Sequence, residues 1–473
     1  MCSETNKSEV IEFAAFDIEC FENLEGVNIS GCEARRESSP VITPGAPGTP
    51  DAGGFRFNGS ILKVDDTYMM WYIGYEGRLT GDSIGRVAVA ESKDGINWTK
   101  PDLGNGSNVV SGIPEQGRCC LSVMRDDDGT FLMAIDNWKL HKKHFSEEHQ
   151  KLFSDFEPVM PGCEAIARSK DGIHWNYELG DEPIIAEKLE APRIHKVDDT
   201  YIISGQQTYP WYDSDVCRNR VVVFFTSKDL KNWTKVPGFY RNSFEHVPCH
   251  IGIAVVEKIG KTLIGLGGRF TESMELPDQH MEVGIVLSQD GINWHEISPE
   301  TTFIRRGQTG DWDGGAILQA NRLINVGDES LIYYNGFDSG NSDNGYSAIG
   351  RVRFPLHHYG YMALAVGWNL AGPKSGFADS KSIEVDGSFE VYLHTENIKP
   401  GINDIRIQVL DEQGNETSFI SDPVESNGFE VPVKWSDEKS LEYHGSMKLR
   451  IRFSGGCLRD DSPRLYTFKI IKR

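Results

Sequence analysis

SKDGINW (92–98), SKDGIHW (169–175), SKDLKNW (227–233) and SQDGINW (288–294) are four copies of one phrase, Ser-x-Asp-Gly-Ile-x-Trp, altered only in the third. Their spacing of roughly 60 to 80 residues marks an internal repeat, and a repeat decides architecture before any local reading does. Each copy follows a β-rich run: GRVAVAE, CEAIARS, RVVVFFTS or EVGIVLS. Such runs ended by Asp-Gly read as strands closed by a turn, with the Asp capping the turn and the Gly supplying positive φ. The Trp then opens the next strand and is expected to pack between neighbouring sheets.

A second phrase precedes each copy and adds a hairpin: ILKVDDTYMMWYIG (61–74), SVMRDDDGTFLMAI (122–135), RIHKVDDTYIISG (193–205), AVVEKIGKTLIGLG (254–267) and ANRLINVGDESLIYYNG (320–336). Together the phrases make five units of four antiparallel strands, and radial repetition of such units is a β-propeller. The fifth unit ends in YSAIGRVRF with no Ser-Asp-Gly-Trp phrase, so its outer strand must come from elsewhere. VIEFAAF (10–16) is the expected donor, closing the ring. From about 361 onward, short alternating strands separated by Gly, Asn and Asp turns read as a β-sandwich. The predicted fold is therefore all-β, with a five-bladed propeller over 1–358 and a C-terminal sandwich over 359–473. One helix is predicted, in the charged insertion HKKHFSEEHQKLFSDF (141–156), where a lid could sit.

Composition narrows the partners. With 48 Lys and Arg against 70 Asp and Glu, the chain of 473 residues carries −22, which repels nucleic acid and anionic lipid. No stretch approaches ~18 consecutive apolar residues, so no membrane span is expected. Nine cysteines without a CxxC pair indicate neither a disulfide framework nor a zinc ribbon. The N-terminal segment carries Glu4, Lys7, Glu9, Glu12 and Asp17 where a signal peptide needs an apolar run, which predicts a cytoplasmic protein. A trimmed lipoprotein cysteine at Cys2, and hence a periplasmic or surface location, is the alternative.

Five blades carrying these turns, followed by a sandwich, resemble the propeller glycoside hydrolases of families 32 and 43 and their relatives, with the phosphorolytic family 130 as a cousin. The resemblance implies an active site in a funnel at one end of the propeller axis, with acids on or just before the innermost strands. Glu190, in LEAPRIHKVDDTY eleven residues before Tyr201, resembles the family's blade-three acid, a Glu followed by a small residue, Pro and a strand. Asp51 in TPDAGGF and Asp313 in GDWDGGA fall at equivalent offsets in blades one and five, and the family places its base or nucleophile at a blade-one Asp.

Glycoside cleavage needs one carboxylic acid to protonate the leaving oxygen and one carboxylate to activate water or attack the anomeric carbon. Glu190 against Pro and aliphatic groups would be protonated and act as acid. Asp51, near backbone donors and Arg56 or Arg193, would stay ionised as base or nucleophile. Asp313 is the third catalytic candidate. In blade two, Cys119 or Cys120 stands where the family has an Asp. Asp126, Asp127 and Asp128 lie in the turn, and Glu115 or Arg118 could project inward instead.

Substrate contacts are expected from Arg56, Arg193, Tyr209, Trp211, His246, His250 and Trp312, the aromatics stacking on a sugar face. Each has a structural alternative. Arg193 either clamps an anion or pairs with Glu190, and Pro50-Asp51-Ala52-Gly53 is also a good turn. Asp94, Asp171, Asp229 and Asp290 of the repeated turn are structural. No metal ligand set and no required cofactor is expected, a structural Ca2+ on the propeller axis being the one exception. The function expected is an exo-acting glycosidase on an oligosaccharide or polysaccharide, with a phosphorylase or a non-catalytic sugar-binding propeller as alternatives.

Overall fold

The computed structural model describes residues 8–57, 59–77, 84–115, 120–141, 147–152, 159–179, 182–209, 219–241, 250–270, 280–298, 301–340, 345–365, 374–455 and 461–473. The chain divides into two compact units, one of residues 33–257 and 263–356, the other of 1–32, 258–262 and 357–473.

The first unit holds the repeat. In blade one, Gly54–Arg56 and Ile61–Val64 both pair with Thr67–Tyr75, which pairs with Gly85–Ser92, and Thr99 bridges to Glu91 outside it. Blade two is Leu121–Arg125, Phe131–His141, Val159–Ser169 and Trp175–Asn176, and blade three is Glu190–Val197, Thr200–Tyr209, Asn219–Ser227 and Thr234–Val236. Blade four runs His250–Ile259, Thr262–Phe270, Met281–Ser288 and Asn293–Glu296. In blade five, Ala316–Gln319 and Ile324–Val326 pair with Glu329–Phe337, followed by Ser347–Pro355.

Hydrogen bonds between successive blades close the ring. Val123 N donates to Ser60 Oγ at 2.7 Å, Ile194 N to Ser122 Oγ at 3.1 Å and Ile253 N to Ser204 Oγ at 3.1 Å. Gln319 Nε2 donates to Gly252 O at 3.4 Å, and Asn321 N returns to Gly59 O of blade one at 2.8 Å. These five links join blades one to two, two to three, three to four, four to five and five to one, as a five-bladed propeller requires.

The repeated phrase acts as the sequence predicts. Asp94 Oδ1 accepts the N–H groups of Ile96 and Asn97, and Ser92 Oγ accepts Gly95 N, all at 2.8 Å. The same pattern holds around Asp171, Asp229 and Asp290. Donation from the Asn97 and Ile96 backbone holds the Asp94 carboxyl well below the usual carboxylate range. Gly172, at φ +77°, lies so close to Trp71 that a Cβ would sit 2.6 Å from its ring. In the altered copy Leu230 takes the left-handed conformation at φ +63°, which costs an L-residue about 1 kcal/mol.

Each tryptophan reaches the preceding blade. Trp98 donates to the Tyr333 hydroxyl of blade five at 2.9 Å, and Trp175 meets Trp71 of blade one edge-on at 6.4 Å. Trp233 packs on the cluster containing Met124 and Leu132 of blade two, and Trp294 meets His195 of blade three.

The N-terminal expectation is corrected. Glu9–Ala14 does not complete blade five; it pairs antiparallel with Arg464–Lys472, and Phe13 stacks on Phe468 at 4.5 Å. The reason is the apolar alternation of the segment, which lays Ile11 and Phe13 on the sandwich core and covers an open sheet edge. Blade five is instead completed by Arg35–Arg36, which pairs with Ser347–Pro355. The next residue, Glu37, holds Arg351 and Arg353 of that strand at 2.7 Å each. Residues 1–32 accordingly belong to the second unit rather than to the propeller.

That second unit is a sandwich around Phe389, Val391, Leu393, Ile405, Ile407, Leu449, Ile451 and Phe468. Its longest strand, Ser440–Ser454, pairs with Ile383–Glu396 in its first half and with Ser375–Ser380 and Asp404–Leu410 in its second. In the predicted helical insertion, Glu147–Leu152 is helical, while 142–146 and 153–158 lie outside the described residues. No helix among the described residues is long and apolar enough to cross a membrane.

A buried imidazole pair gives the sandwich a pH dependence. His358 and His394 approach Nε2 to Nε2 at 3.2 Å, with Tyr466 stacked on His358 at 3.8 Å. Burial, with further opposition from neighbouring cations, pushes His358 down to about 4 and His394 to about 3. The groups around them are His357, Arg464, Glu396, Tyr466, Cys32 and, beside His357, Glu12. An unfolded imidazole titrates near ~6.5, so below that pH the unfolded chain binds protons that the folded one refuses, and stability falls progressively toward the folded values. Calorimetric unfolding should therefore show a Tm that drops between pH 6.5 and 4, and His394→Phe should flatten that slope.

Candidate active site

The inner ends of blades one to three carry one cluster. Arg56 pairs with Ile73, Cys120 precedes the pair of Leu121 with Ile135, and Glu190 pairs with Gln206, which puts the three at one level of the repeat. Burial pushes the Cys120 thiol up to about 12, and Asp136, Arg56, Arg193 and Glu190 all act on it, which gathers the five groups. Glu190 Oε1 lies 3.1 Å from Lys188 Nζ, and Gln206 Nε2 donates to Oε2 at 2.6 Å. Lys188 is itself 2% exposed, so this ammonium is held against the carboxylate.

A bulge aims Glu190. The register slips between Glu190 and Arg193, and Ala191 takes φ +52°, a strained conformation for a residue with a Cβ. The neighbouring blade holds it there: Asp136 Oδ2 accepts Ala191 N at 3.0 Å while Oδ1 accepts Cys120 N. Asp136 is fully buried, and its two backbone donors suit an ionised carboxylate.

Arg193 reaches across the ring. Its guanidinium donates to Leu121 O of blade two at 3.5 Å and Gln319 O of blade five at 3.4 Å, so it spans the axis. It is 1% exposed, and burial lowers it to about 10. The expectation of an open anion clamp at Arg193 is thereby corrected, because the guanidinium is spent on main-chain carbonyls.

Asp51 and Asp313 are equivalent, as their offsets suggest, but neither stands with Glu190. Tyr72 donates to Asp51 Oδ2 at 2.9 Å, Lys100 Nζ sits 2.6 Å from the same oxygen, and Gly45 N and Thr49 Oγ1 donate to Oδ1. In blade five Tyr334 donates to Asp313 Oδ2 at 2.7 Å, while Arg36 Nη1 bonds both carboxylate oxygens at 2.9 and 3.0 Å. Each clamp joins the turn before a blade's first strand to a tyrosine on the second strand and a cation from the outer edge. Gly74 and Gly336, two residues beyond the tyrosines, leave room for it; a Cβ there would sit 2.8 and 2.6 Å from the Asp Cβ atoms. Both carboxylates are fully buried, so the reading of Asp51 and Asp313 as funnel acids is replaced by that of structural clamps.

The remaining candidates divide. Arg56 belongs to the cluster. Trp312 stacks on Tyr334 at 5.9 Å and donates to Ser38 O, as part of the blade-five clamp. Tyr209 and His250 lie on strands, but their side chains are outside the described residues, as are Trp211, His246, Arg118 and Cys119 entirely. Glu115 is exposed and paired with Arg86 at 2.7 Å, so it does not supply the blade-two acid. Asp126 and Asp127 bind Lys196, and Asp128 caps Thr130 N, as turn residues do.

Sequence reasoning missed Asp136, Lys188 and Gln206. A signal existed: Asp136, Gln206 and Asn335 occupy the same position of the second strand, five residues beyond Phe131, Tyr201 and Ser330, each a polar residue in a buried apolar strand. Asn335 Oδ1 accepts Phe57 N of the next blade at 2.9 Å, the same cross-blade service that Asp136 gives Ala191. Among the described residues, no three of His, Cys, Asp and Glu are placed to share a metal ion.

No family model and no curated protein matches the chain. Solved structures do. A glycosyl hydrolase from Bacteroides ovatus shares 16% identity at a TM-score of 0.45, over 69% of this chain and 94% of its own. An N-acetylgalactosamine deacetylase from F. plautii, in complex with blood group B trisaccharide, shares 15% at 0.46, over 70% and 96%. A fructofuranosidase from Schwanniomyces occidentalis, complexed with fructosylnystose, shares 11% at 0.43, over 94% and 99%. Likenesses this distant assign no activity.

The clamps carry a stability consequence. Asp51→Ala removes the acceptor of the Tyr72 hydroxyl and leaves Lys100 with the Thr43 carbonyl alone, and should cost about 2 to 4 kcal/mol in denaturant unfolding. Asp313→Ala, which leaves Arg36 with Asp311 alone and the Tyr334 hydroxyl without its acceptor, should behave alike.

Proposed function

We propose that the chain is a glycoside hydrolase whose functional carboxylate is Glu190. One observation carries this reading. Of the four acids considered, Asp51, Asp136 and Asp313 are fully buried and saturated by donors, whereas the Glu190 side chain keeps 15% of its surface at the mouth of the cluster. The resemblance of Glu190-Ala-Pro-Arg to the blade-three acid of propeller glycosidases supports the same residue.

The Lys188 ammonium and the Gln206 amide favour the ionised carboxylate, so Glu190 is proposed as the base or nucleophile rather than as the acid. Arg56 would hold a substrate hydroxyl, and Asp136 would fix the bulge that aims Glu190. The Arg193 guanidinium fills the axis behind the cluster, which supports entry of a chain end from one side and hence exo action. An axial Ca2+ would have to share that space with a buried cation, which like charge opposes.

A second reading has its own support. Lys188, which pairs with Glu190, and Arg56 of the same cluster would supply positive charge toward an anionic co-substrate, as phosphorolysis requires. Turnover that depends on inorganic phosphate and yields a sugar 1-phosphate would select it, and sugar binding without cleavage of any glycan in a panel would select a lectin.

Glu190→Gln should lower turnover of a responsive glycan by about 10²- to 10⁴-fold with the circular dichroism unchanged. Azide should restore part of the activity of Glu190→Ala with formation of a glycosyl azide. Wild-type rates in both variants would sink the assignment.

A further inference from the structure

Blade five carries a second polar site, at its outer edge and independent of Glu190. Arg35, Arg36, Glu37, Ser38, Ser39 and Arg353 line a cavity of about 530 Å3, a volume within the range of small-molecule sites. Three of the lining residues are arginines and one, Glu37, carries a carboxylate, while Asp311, Asp313 and Glu329 balance the charge of Arg36 and Arg353.

That one carboxylate is already occupied. Glu37 accepts Arg351 Nη2 and Arg353 Nη2 at 2.7 Å, together with the Nε groups of both arginines at 3.0 Å. Two walls are likewise set. Arg36 is fixed by Asp313 and Asp311, and Arg353 by Glu37 and by Glu329 at 3.1 Å. The Ser38 carbonyl is held by the Trp312 indole at 3.0 Å. By contrast, the Arg35 guanidinium and the hydroxyls of Ser38 and Ser39 have no protein partner among the described residues. Arg35 is thus the one lining arginine without a carboxylate partner among the described residues, and with the two free hydroxyls it makes a donor-rich site over a floor of neutralised ion pairs.

We infer that this cavity binds a tetrahedral oxyanion, phosphate or sulfate, free or carried as an ester on a small sugar. Arg35 supplies the charge-assisted hydrogen bonds, and Ser38 and Ser39 donate from the rim.

Titration with inorganic phosphate, inorganic sulfate and glucose 6-phosphate, each followed by calorimetry at constant ionic strength, tests the site. Saturable binding of at least one probe is expected, with a Kd at least tenfold weaker in Arg35→Gln, an exposed position where folding should be unaffected. Ser39→Asp, which adds a negative charge at the rim, should abolish binding. Glu190→Gln should leave it intact, which separates this site from a phosphate subsite on the axis. Tighter binding of the ester or of the free ion supports the site either way and names the source. Equal affinity in Arg35→Gln and wild type, or a heat signal matched by sodium chloride alone, overturns it.

Discussion

The propeller depends on one recurring contact, the indole that each Ser-x-Asp-Gly-x-x-Trp turn hands to the blade before it. The turn Asp saturates two backbone N–H groups, the left-handed residue brings the chain back without a clash, and the Trp is thereby aimed across the gap between blades. Trp98 on Tyr333, Trp175 on Trp71 and Trp294 on His195 are the same interaction made three times, and Trp233 packs on the cluster shared by blades two and three. A β-sheet with two apolar faces must bury both, and the indoles join those faces while the hydrogen bonds near the axis fix the angle between them.

The ring creates the site. Once five first strands converge, their inner ends share a space too small for water to solvate every polar group, so charges there must be neutralised by one another. Arg193 is spent on carbonyls of two other blades, Asp136 on backbone donors of its own and the next, and Lys188 on Glu190. Glu190 is left with an exposed edge because the Ala191 bulge turns the chain at that point, and the strain of a non-glycine at positive φ is held by the Asp136 bond. The two Asp-Tyr-cation clamps serve a different end. They tie the turn before a first strand to the outer edge of the same blade, which stiffens blades one and five, the blades that meet where the ring closes.

Much of this was legible in residues alone, and the misreadings are instructive. The equal offsets of Asp51 and Asp313 mark an equivalence that the two clamps share, yet an offset along a strand fixes a level in the blade and not the partners found there. Lys100 and Arg36, which decide the matter, come from outer edges distant in the chain. The offset points to a first strand for the blade-two acid, whereas Asp136 stands on the second, Phe131–His141. VIEFAAF was assigned to the wrong sheet for a similar reason: an alternating segment fits any open edge of suitable polarity, and only the stacking of Phe13 on Phe468 selects the sandwich.

By itself, then, the sequence determined the number of blades, the turn that ends the third strand in four of them and the sandwich that follows, since all of these are local patterns repeated or bounded within a few residues. The tertiary structure alone decided which carboxylates are sealed and which one meets solvent, where the arginines spend their hydrogen bonds and which segment completes the fifth blade. Those outcomes depend on groups far apart in the chain meeting in a space of low polarity, where the partner, and not the residue type, sets what a charge can do.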